Sequence, residues 1–482
     1  MADPEKASDN GAWLDEHFPL HKAVFQNDIS RINEILTTTC LPKINLDQMD
    51  THGNTALHLA AMLGNIEAAK LLLEHGANVG LKNNDGWKSL HEAIKHGANV
   101  GLKNNDGWKS LHEAISYGDR KMIGLLLSSL KKQSHRSLTS KLPEIQNHLE
   151  SLNDFYMEIR WEFQTWIPLL SRVMPSDTFK VYKRGSKLRV DFTLTDFNES
   201  IISWTRGDMS LLFDPGAPKS YQTLLLNNKD EVYQRVRDKN RHLNDEIDLL
   251  MGCDIISSHI STRPIRFVRA KGWFMNDKSY NIGEYKADLF NIKELCLITR
   301  KRREHLSQED LRKNRELNKA FSSGKLPPDD GSSDDDDKNH HRASLSPPPK
   351  PEFAWAEYLR LPDGPDSHLG RPKEEKTTNT EIKGMLALCQ DFPLTTDQLL
   401  DILEVLEPVK PTVKKFRAFC SSGRLPPGFP IQLEIPIFAT LTMKITVQLF
   451  RWQQSNDDAA FPNGMFKVPN HFREDPDHFD NI

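Results

Sequence analysis

One pattern, repeated after 33 residues, constrains this chain of 482 residues more than any other feature. Thr55, Leu57, His58 and Ala60 open it, Leu71-Leu72-Leu73 sits in its middle, and Gly76-Ala77-Asn78-Val79 closes it. Asp85-Gly86 and Ser89-Leu90-His91-Glu92-Ala93 then start it again, with Leu57 and Leu90 separated by 33. A looser unit comes earlier, with Leu20-His21-Lys22-Ala23 and then Ile35-Leu36. Leu20 stands 37 residues before Leu57, which places an insertion near Thr37–Lys43. A helix–turn–helix unit of this size cannot cover its own apolar face, so such units must stack on one another. The histidine after the leucine usually bonds to backbone between units, so His58 and His91 read as structural residues.

This period and its T-x-L-H-x-A core are those of ankyrin repeats, with Ala56 where proline is usual. One feature breaks the period. The string HGANVGLKNNDGWKSLHEAI runs from His75 to Ile94 and again, identically, from His96 to Ile115. Twenty-one residues are too few for a unit of two helices. Residues 116–130 read as the second helix that belongs after the L-H-E-A-I motif, and removing one copy restores a normal unit from Asp85 to about Leu130. A recent duplication, such as a gene-model or splicing artefact, is the first explanation, and a functional insertion the second. Either way strain or disorder is expected at 75–115, and Trp87 and Trp108 cannot occupy equivalent environments.

Beyond the repeats, residues 143–170 read as one amphipathic helix on Ile145, Leu149, Leu152, Tyr156, Ile159 and Phe163, ending at Pro168. Trp161 and Trp166 are weighed as packing residues ahead of a binding pair. From Thr178 the period becomes two, with a hairpin turning at Gly185-Ser186. Further strands are expected at 203–205, 210–213, 221–226, 231–235, 265–270, 283–290 and 295–299. Helices do not alternate with them, so an antiparallel sheet is expected. The polar span 306–351 holds Ser332-Ser333, Asp334–Asp337, His340-His341, Ser344, Ser346 and Pro347–Pro349. It reads as a disordered acidic, Ser- and Pro-rich linker, with Ser346-Pro347 and Ser332-Ser333 as phosphorylation candidates. Residues 376–388 read as a strand running into a helix, 395–406 and 413–420 as helices, and Leu425–Pro430 as a rigid turn. Nine apolar positions then alternate from Ile431 to Leu449, which reads as one strand with a buried face.

The expected class is α+β: disordered 1–15, ankyrin repeats over 16–130, a helix and β-rich first half over 131–305, the linker 306–351, and a second half over 352–482. Sixty-three Lys and Arg against 67 Asp and Glu give a formal charge of −4, which argues against nucleic acid as a partner. No apolar run reaches 18 residues, and the first 25 lack the apolar core of a signal peptide, so a cytoplasmic chain is expected. Cys40, Cys253, Cys296, Cys389 and Cys420 are scattered, with no C-x-x-C pair to suggest zinc or a disulfide framework. No Walker A, G-x-G-x-x-G, H-E-x-x-H or G-x-S-x-G motif occurs, so no catalytic, cofactor or metal residue is assigned and no enzyme is expected. Arg300-Lys301-Arg302-Arg303 reads as a solvated helix start, with anionic lipid or a nuclear signal as alternatives.

The chain resembles the ankyrin-repeat-domain-13 family from about Phe18 to Ile482. The resemblance rests on Trp161-Glu-Phe, Trp166-Ile-Pro-Leu, Pro175-Ser-Asp-Thr, Arg189-Val-Asp and Arg206-Gly-Asp-Met-Ser-Leu. It continues through Arg300–Ser307, His368-Leu-Gly-Arg371, Leu425-Pro-Pro-Gly-Phe-Pro and Glu434-Ile-Pro-Ile-Phe. Val232-Tyr-Gln-Arg, Glu246-Ile-Asp-Leu-Leu-Met and the ending from Phe472 are similar to the C-type branch. That branch implies a non-enzymatic chaperone of G-protein-coupled receptors, peripheral on the cytosolic face of the endoplasmic reticulum and touching receptor cytoplasmic segments. Other branches are endocytic adaptors for ubiquitinated receptors, but nothing after Trp452 fits a ubiquitin-interacting motif. A generic ankyrin scaffold and a hydrolase within the β-rich half are the remaining readings. No binding residue carries over from the family.

Overall fold

A computed structural model describes residues 17–38, 45–75, 102–165, 174–198, 203–236, 243–261, 265–271, 279–323, 341–362, 364–398, 400, 425–438, 441–453, 461, 464–476 and 478–479. The first part is an ankyrin stack. Its helices are α1 (Pro19–Phe25), α2 (Ile29–Thr37), α3 (Ala56–Leu63), α4 (Ile66–Glu74), α5 (Ser110–Tyr117) and α6 (Arg120–Ser151). Thr55 Oγ1 accepts from His58 N at 3.4 Å and Thr55 N donates to His58 Nδ1 at 3.3 Å, a reciprocal cap that starts α3. Gly64 and Gly118, at φ +71° and +85°, end α3 and α5 in the left-handed conformation that glycine adopts without a Cβ clash.

The duplication is resolved by position. Fifty-four residues separate Met49 from Lys103 and Thr55 from Lys109, the partners of the two finger bridges. The same 54 separates His58 from His112 and Gly64 from Gly118: one normal period plus the 21-residue copy. The second copy therefore builds the finger and first helix of the next unit, with Trp108 fully buried. Trp87 and His91, and with them the expected strain or disorder of the first copy, lie outside the described residues.

The second part is mostly antiparallel sheet. Strands β1 (Phe155–Thr165), β2 (Ser176–Arg184), β3 (Lys187–Asn198), β4 (Ser203–Phe213), β5 (Thr223–Asn227) and β6 (Val232–Arg235) run as a meander. Then come α7 (Leu243–Gly252), β7 (Ile255–Ser261), β8 (Arg266–Arg269), β9 (Ser279–Ile282), β10 (Tyr285–Lys293) and β11 (Leu295–Arg302). After α8 (Gln308–Ser323) and α9 (Trp355–Tyr358) follow β12 (Glu375–Ile382), β13 (Met385–Cys389), β14 (Phe429–Phe438), β15 (Leu441–Trp452) and β16 (Arg473–Glu474). Thirteen strands join in the order β16-β6-β5-β4-β3-β2-β1-β15-β14-β13-β10-β8, with β9 beside β10. β12-β11-β7 make a second sheet, and β16 on β6 is the parallel exception. The expected antiparallel sheet and its hairpin at Gly185 are present.

Five sequence expectations are corrected. The helix expected over 143–170 ends at Ser151 and gives way to β1, because Phe155, Met157, Ile159, Trp161 and Phe163 also alternate at period two behind Asn153-Asp154. Residues 376–388 are two strands, parted by Lys383-Gly384, that serve different sheets. The single strand expected over 431–449 is a hairpin, β14 paired with β15. The span 306–351 is ordered at both ends. α8 starts on a cap in which Ser307 Oγ donates to Asp310 Oδ2 at 2.7 Å and Asp310 N donates to Ser307 Oγ at 3.1 Å. Its other end, 341–351, is laid against the ankyrin stack, with Leu345 N donating to Gly118 O at 2.8 Å. Arg300–Arg302 belong to β11 and do not start a helix. The helix expected at 395–406 shows its first turn at Thr396–Gln398, and that at 413–420 lies outside the described residues.

Candidate interaction surface

Each of the two described ankyrin fingers is held by a polar side chain at its base. Asp50 Oδ1 accepts from His52 N at 3.0 Å and Asn54 N at 2.8 Å. Asn104 Oδ1 accepts from Trp108 N at 2.9 Å, and Asn104 Nδ2 donates to Asn54 Oδ1 at 3.0 Å, which ties one finger to the next. His58 Nε2 adds a 3.1 Å bond to Trp108 O, the structural role expected of it. Fingers and first helices form the face that repeat stacks offer to partners.

In this protein the chain's own residues 353–373 occupy much of that face. Tyr358 Oη donates to Asp50 Oδ2 at 2.9 Å and accepts from Asn54 Nδ2 at 3.0 Å. His52 Nε2 donates to Tyr358 O at 2.8 Å. Phe25 meets the Trp355 and Tyr358 rings at 5.5 and 5.8 Å. Trp355, Tyr358, Leu359 and Leu369 are buried in one apolar cluster with Leu57, Leu59 and Trp108. Further along, Arg371 donates to Ser116 O and Tyr117 O, and Lys373 pairs with Asp106.

β11 makes the second contact. Arg302 is fully buried, its Nη1 at 3.0 and 2.9 Å from the two carboxylate oxygens of Glu113 and its Nε at 2.7 Å from Glu304 Oε1. The Arg300 and Arg302 guanidinium groups each lie 5.1 Å from the Trp108 ring centroid. Ser116 Oγ donates to Glu304 Oε1 at 2.6 Å. Burial by itself raises the Glu113 carboxyl, but the Arg302 guanidinium overrides it and holds the group at about 2. Burial pushes His368 down to about 4 against the pull of Glu113, 3.9 Å away, and it pushes His112 to about 4 as well. These groups face one another between two layers of the protein, which makes them a weld.

The remaining sequence candidates fall as follows. The basic cluster is engaged internally: Arg300 with Glu375, and Lys301 and Arg303 with Asp254. It is therefore no free lipid patch. Trp161 sits on β1 with its ring 6.2 Å from Phe179. Asp245, Asp248 and His341 converge within 4.8 Å, but Asp248 already accepts from Arg120, Arg342 N and His341. Cys253, Cys296 and Cys389 are free thiols. Cys40, Trp166, Ser332-Ser333, Asp334–Asp337, His340 and Cys420 lie outside the described residues. Sequence reasoning missed Trp355, Tyr358 and Lys373, which carry no local pattern, and saw Glu113 only as part of the L-H-E-A-I motif. It quoted His368 and Arg371 only as family motifs, without a role, and read Arg302 as part of a solvated basic cluster.

Comparison with known proteins gives two profile matches: "ANKRD13 C-terminal" over residues 189–480 and "Ankyrin repeats (3 copies)" over 20–102. Ankyrin repeat domain-containing protein 13C of Homo sapiens is 39% identical over 477 residues, covering 98% of this chain and 81% of the relative. The 13C protein of Danio rerio is 39% identical over 472 residues, covering 97% and 88%. Ankyrin repeat domain-containing protein 13B of Mus musculus is 30% identical over 452 residues, covering 89% and 67%.

Proposed function

The chain belongs to the ankyrin repeat domain 13 family, and from that premise we propose that it is a non-enzymatic chaperone and adaptor for G-protein-coupled receptors. It works at the cytosolic face of the endoplasmic reticulum, attached peripherally, and governs receptor maturation and exit. The observation that carries this reading is coverage. C-type relatives match 97–98% of the chain, through the ankyrin stack and both sheets, and the sequence resemblance to that branch implies receptor chaperoning. The strongly shifted Glu113 supports binding over catalysis, because it is buried and held in an ion pair with Arg302 between the repeats and β11. No described helix is long and apolar enough to cross a membrane, which fits peripheral attachment.

With its finger face engaged by residues 353–373, the protein meets receptor segments elsewhere. The edge strand β12, exposed from Glu375 to Glu381, has the open backbone that an extended cytoplasmic segment pairs with. The ubiquitin-dependent endocytic reading has less support, since the B-type relative matches at lower identity and over less of its length. The test is membrane fractionation of the tagged protein with salt and carbonate washes, followed by mass spectrometry of what co-purifies. The protein is expected on reticulum membranes together with immature receptors, and high salt or alkaline carbonate should release it while the receptors stay in the bilayer. A soluble protein with no receptor bound, and unchanged receptor maturation after depletion, would sink the reading.

A further inference from the structure

Residues 341–351 run as extended chain across the corner where α5 passes into α6. Several contacts hold them, three of which anchor the first half of this run. Leu345 N donates to Gly118 O at 2.8 Å, Arg120 N donates to Ser344 Oγ at 3.0 Å, and Arg342 Nη2 donates to Asp310 Oδ1 at 2.6 Å. Ser346 comes next, exposed and followed by Pro347. Its carbonyl oxygen accepts from Arg371 Nη2 at 2.9 Å. The same guanidinium donates to Ser116 O at 3.1 Å and Tyr117 O at 3.2 Å, at the C-terminal end of α5. Arg371 thus meets three main-chain oxygens and, among the described residues, no carboxylate. It differs in this from Arg120, Arg300, Arg302, Arg303 and Arg342, each of which has an acidic partner. The dipole at a helix end balances only part of a full charge.

We propose that Ser346 is a phosphorylation site for a proline-directed protein kinase, and that Arg371 receives the phosphate. Pro347 keeps Ser346 in the extended conformation, and no helix or ladder must open to present the hydroxyl. In the transfer, Ser346 Oγ bonds to the γ-phosphorus of a nucleoside triphosphate and the β–γ bridge breaks. The nucleoside diphosphate leaves, and the hydroxyl proton passes to the base of the kinase. The new dianion sits on the residue whose carbonyl Arg371 already holds, within reach of the fork that binds phosphate in paired hydrogen bonds. It pins residues 341–351 to the corner of the ankyrin stack. Ser344 precedes Leu345 and lacks the proline.

The test uses the full chain, a proline-directed serine/threonine kinase and magnesium ATP. Mass spectrometry should place phosphate on Ser346 and lose it in Ser346→Ala. Hydrogen exchange at the Leu345 amide should then slow roughly tenfold, as one charge-assisted contact allows. The second phosphate pKa, read by phosphorus NMR, should fall below about 6, the usual value. Arg371→Gln should accept phosphate yet show neither effect, and Arg371→Lys should restore part of the pKa shift. The proposal is overturned if the folded chain takes no phosphate at Ser346 while a peptide spanning 340–352 does. It is equally overturned if exchange and pKa are the same in wild type and Arg371→Gln.

Discussion

Replacing Arg302 with Met leaves two buried carboxylates, Glu113 and Glu304, without their cation. A loss of about 3–5 kcal/mol is expected, seen as a lower urea midpoint with little change in slope. The double variant with Glu113→Gln should recover part of the loss, and a purely additive result would mean that the two do not act as a pair. Acid is expected to weaken the same region. Burial holds His21, His112 and His368 at about 4, below the ordinary 6.5, so on acidification the unfolded chain takes up their protons first. Their contribution is complete above pH 6.5 and is lost between 6.5 and 4, at about 1.4 kcal/mol per pH unit for each group. Glu113, lowered from 4.5 to about 2, extends the loss below that window. Unfolding followed from pH 7 to 4 should show this slope, and His368→Gln should reduce it by about one group; an unchanged slope would contradict the assignment.

At the scale of elements, the repeat helices were readable in the sequence because their motif is local: Thr55, Leu57, His58 and Ala60. The hairpin at Gly185 was readable for the same reason. The helix expected over 143–170 failed because a run such as Phe155–Phe163 satisfies both periods, and only pairing with β15 and β2 decides between them. The docking of 353–373 left no trace in the sequence, since Tyr358 meets Asp50 and Asn54 across more than 300 residues. Tyr358→Phe removes both of these bonds and leaves Asp50 buried with less compensation. It should cost about 1–3 kcal/mol, measured by denaturant. Excision of residues 75–95 joins Glu74 to His96 and restores the 33-residue period. The shortened chain is expected to keep its helicity and to melt no lower than the parent, because a shorter closed loop costs slightly less entropy. Loss of the ankyrin circular dichroism signal would show that the first copy is needed.

In the whole molecule, the ankyrin stack shares its interior with α7, β7 of the small sheet and residues 355–369, while the large sheet has cores of its own. Ile247, Met251, Ile255, Trp355, Tyr358 and Leu369 lie in the same buried cluster as the repeat helices. The stack and these packed elements should therefore unfold in one transition. Residues 1–151 made alone should bind a hydrophobic dye and melt lower, and an isolated stack as stable as the whole would overturn that view. The position of β1 has a further consequence for how the protein is made. Its partner β15 lies far behind it in the chain, with 276 positions from Thr165 to Leu441. At ribosomal speeds of about 5–20 residues per second, one flank of β1 stays open for roughly 15–60 s of synthesis. The middle of the large sheet is thus left open until late in synthesis, and the nascent chain must be guarded there until the C-terminal hairpin emerges.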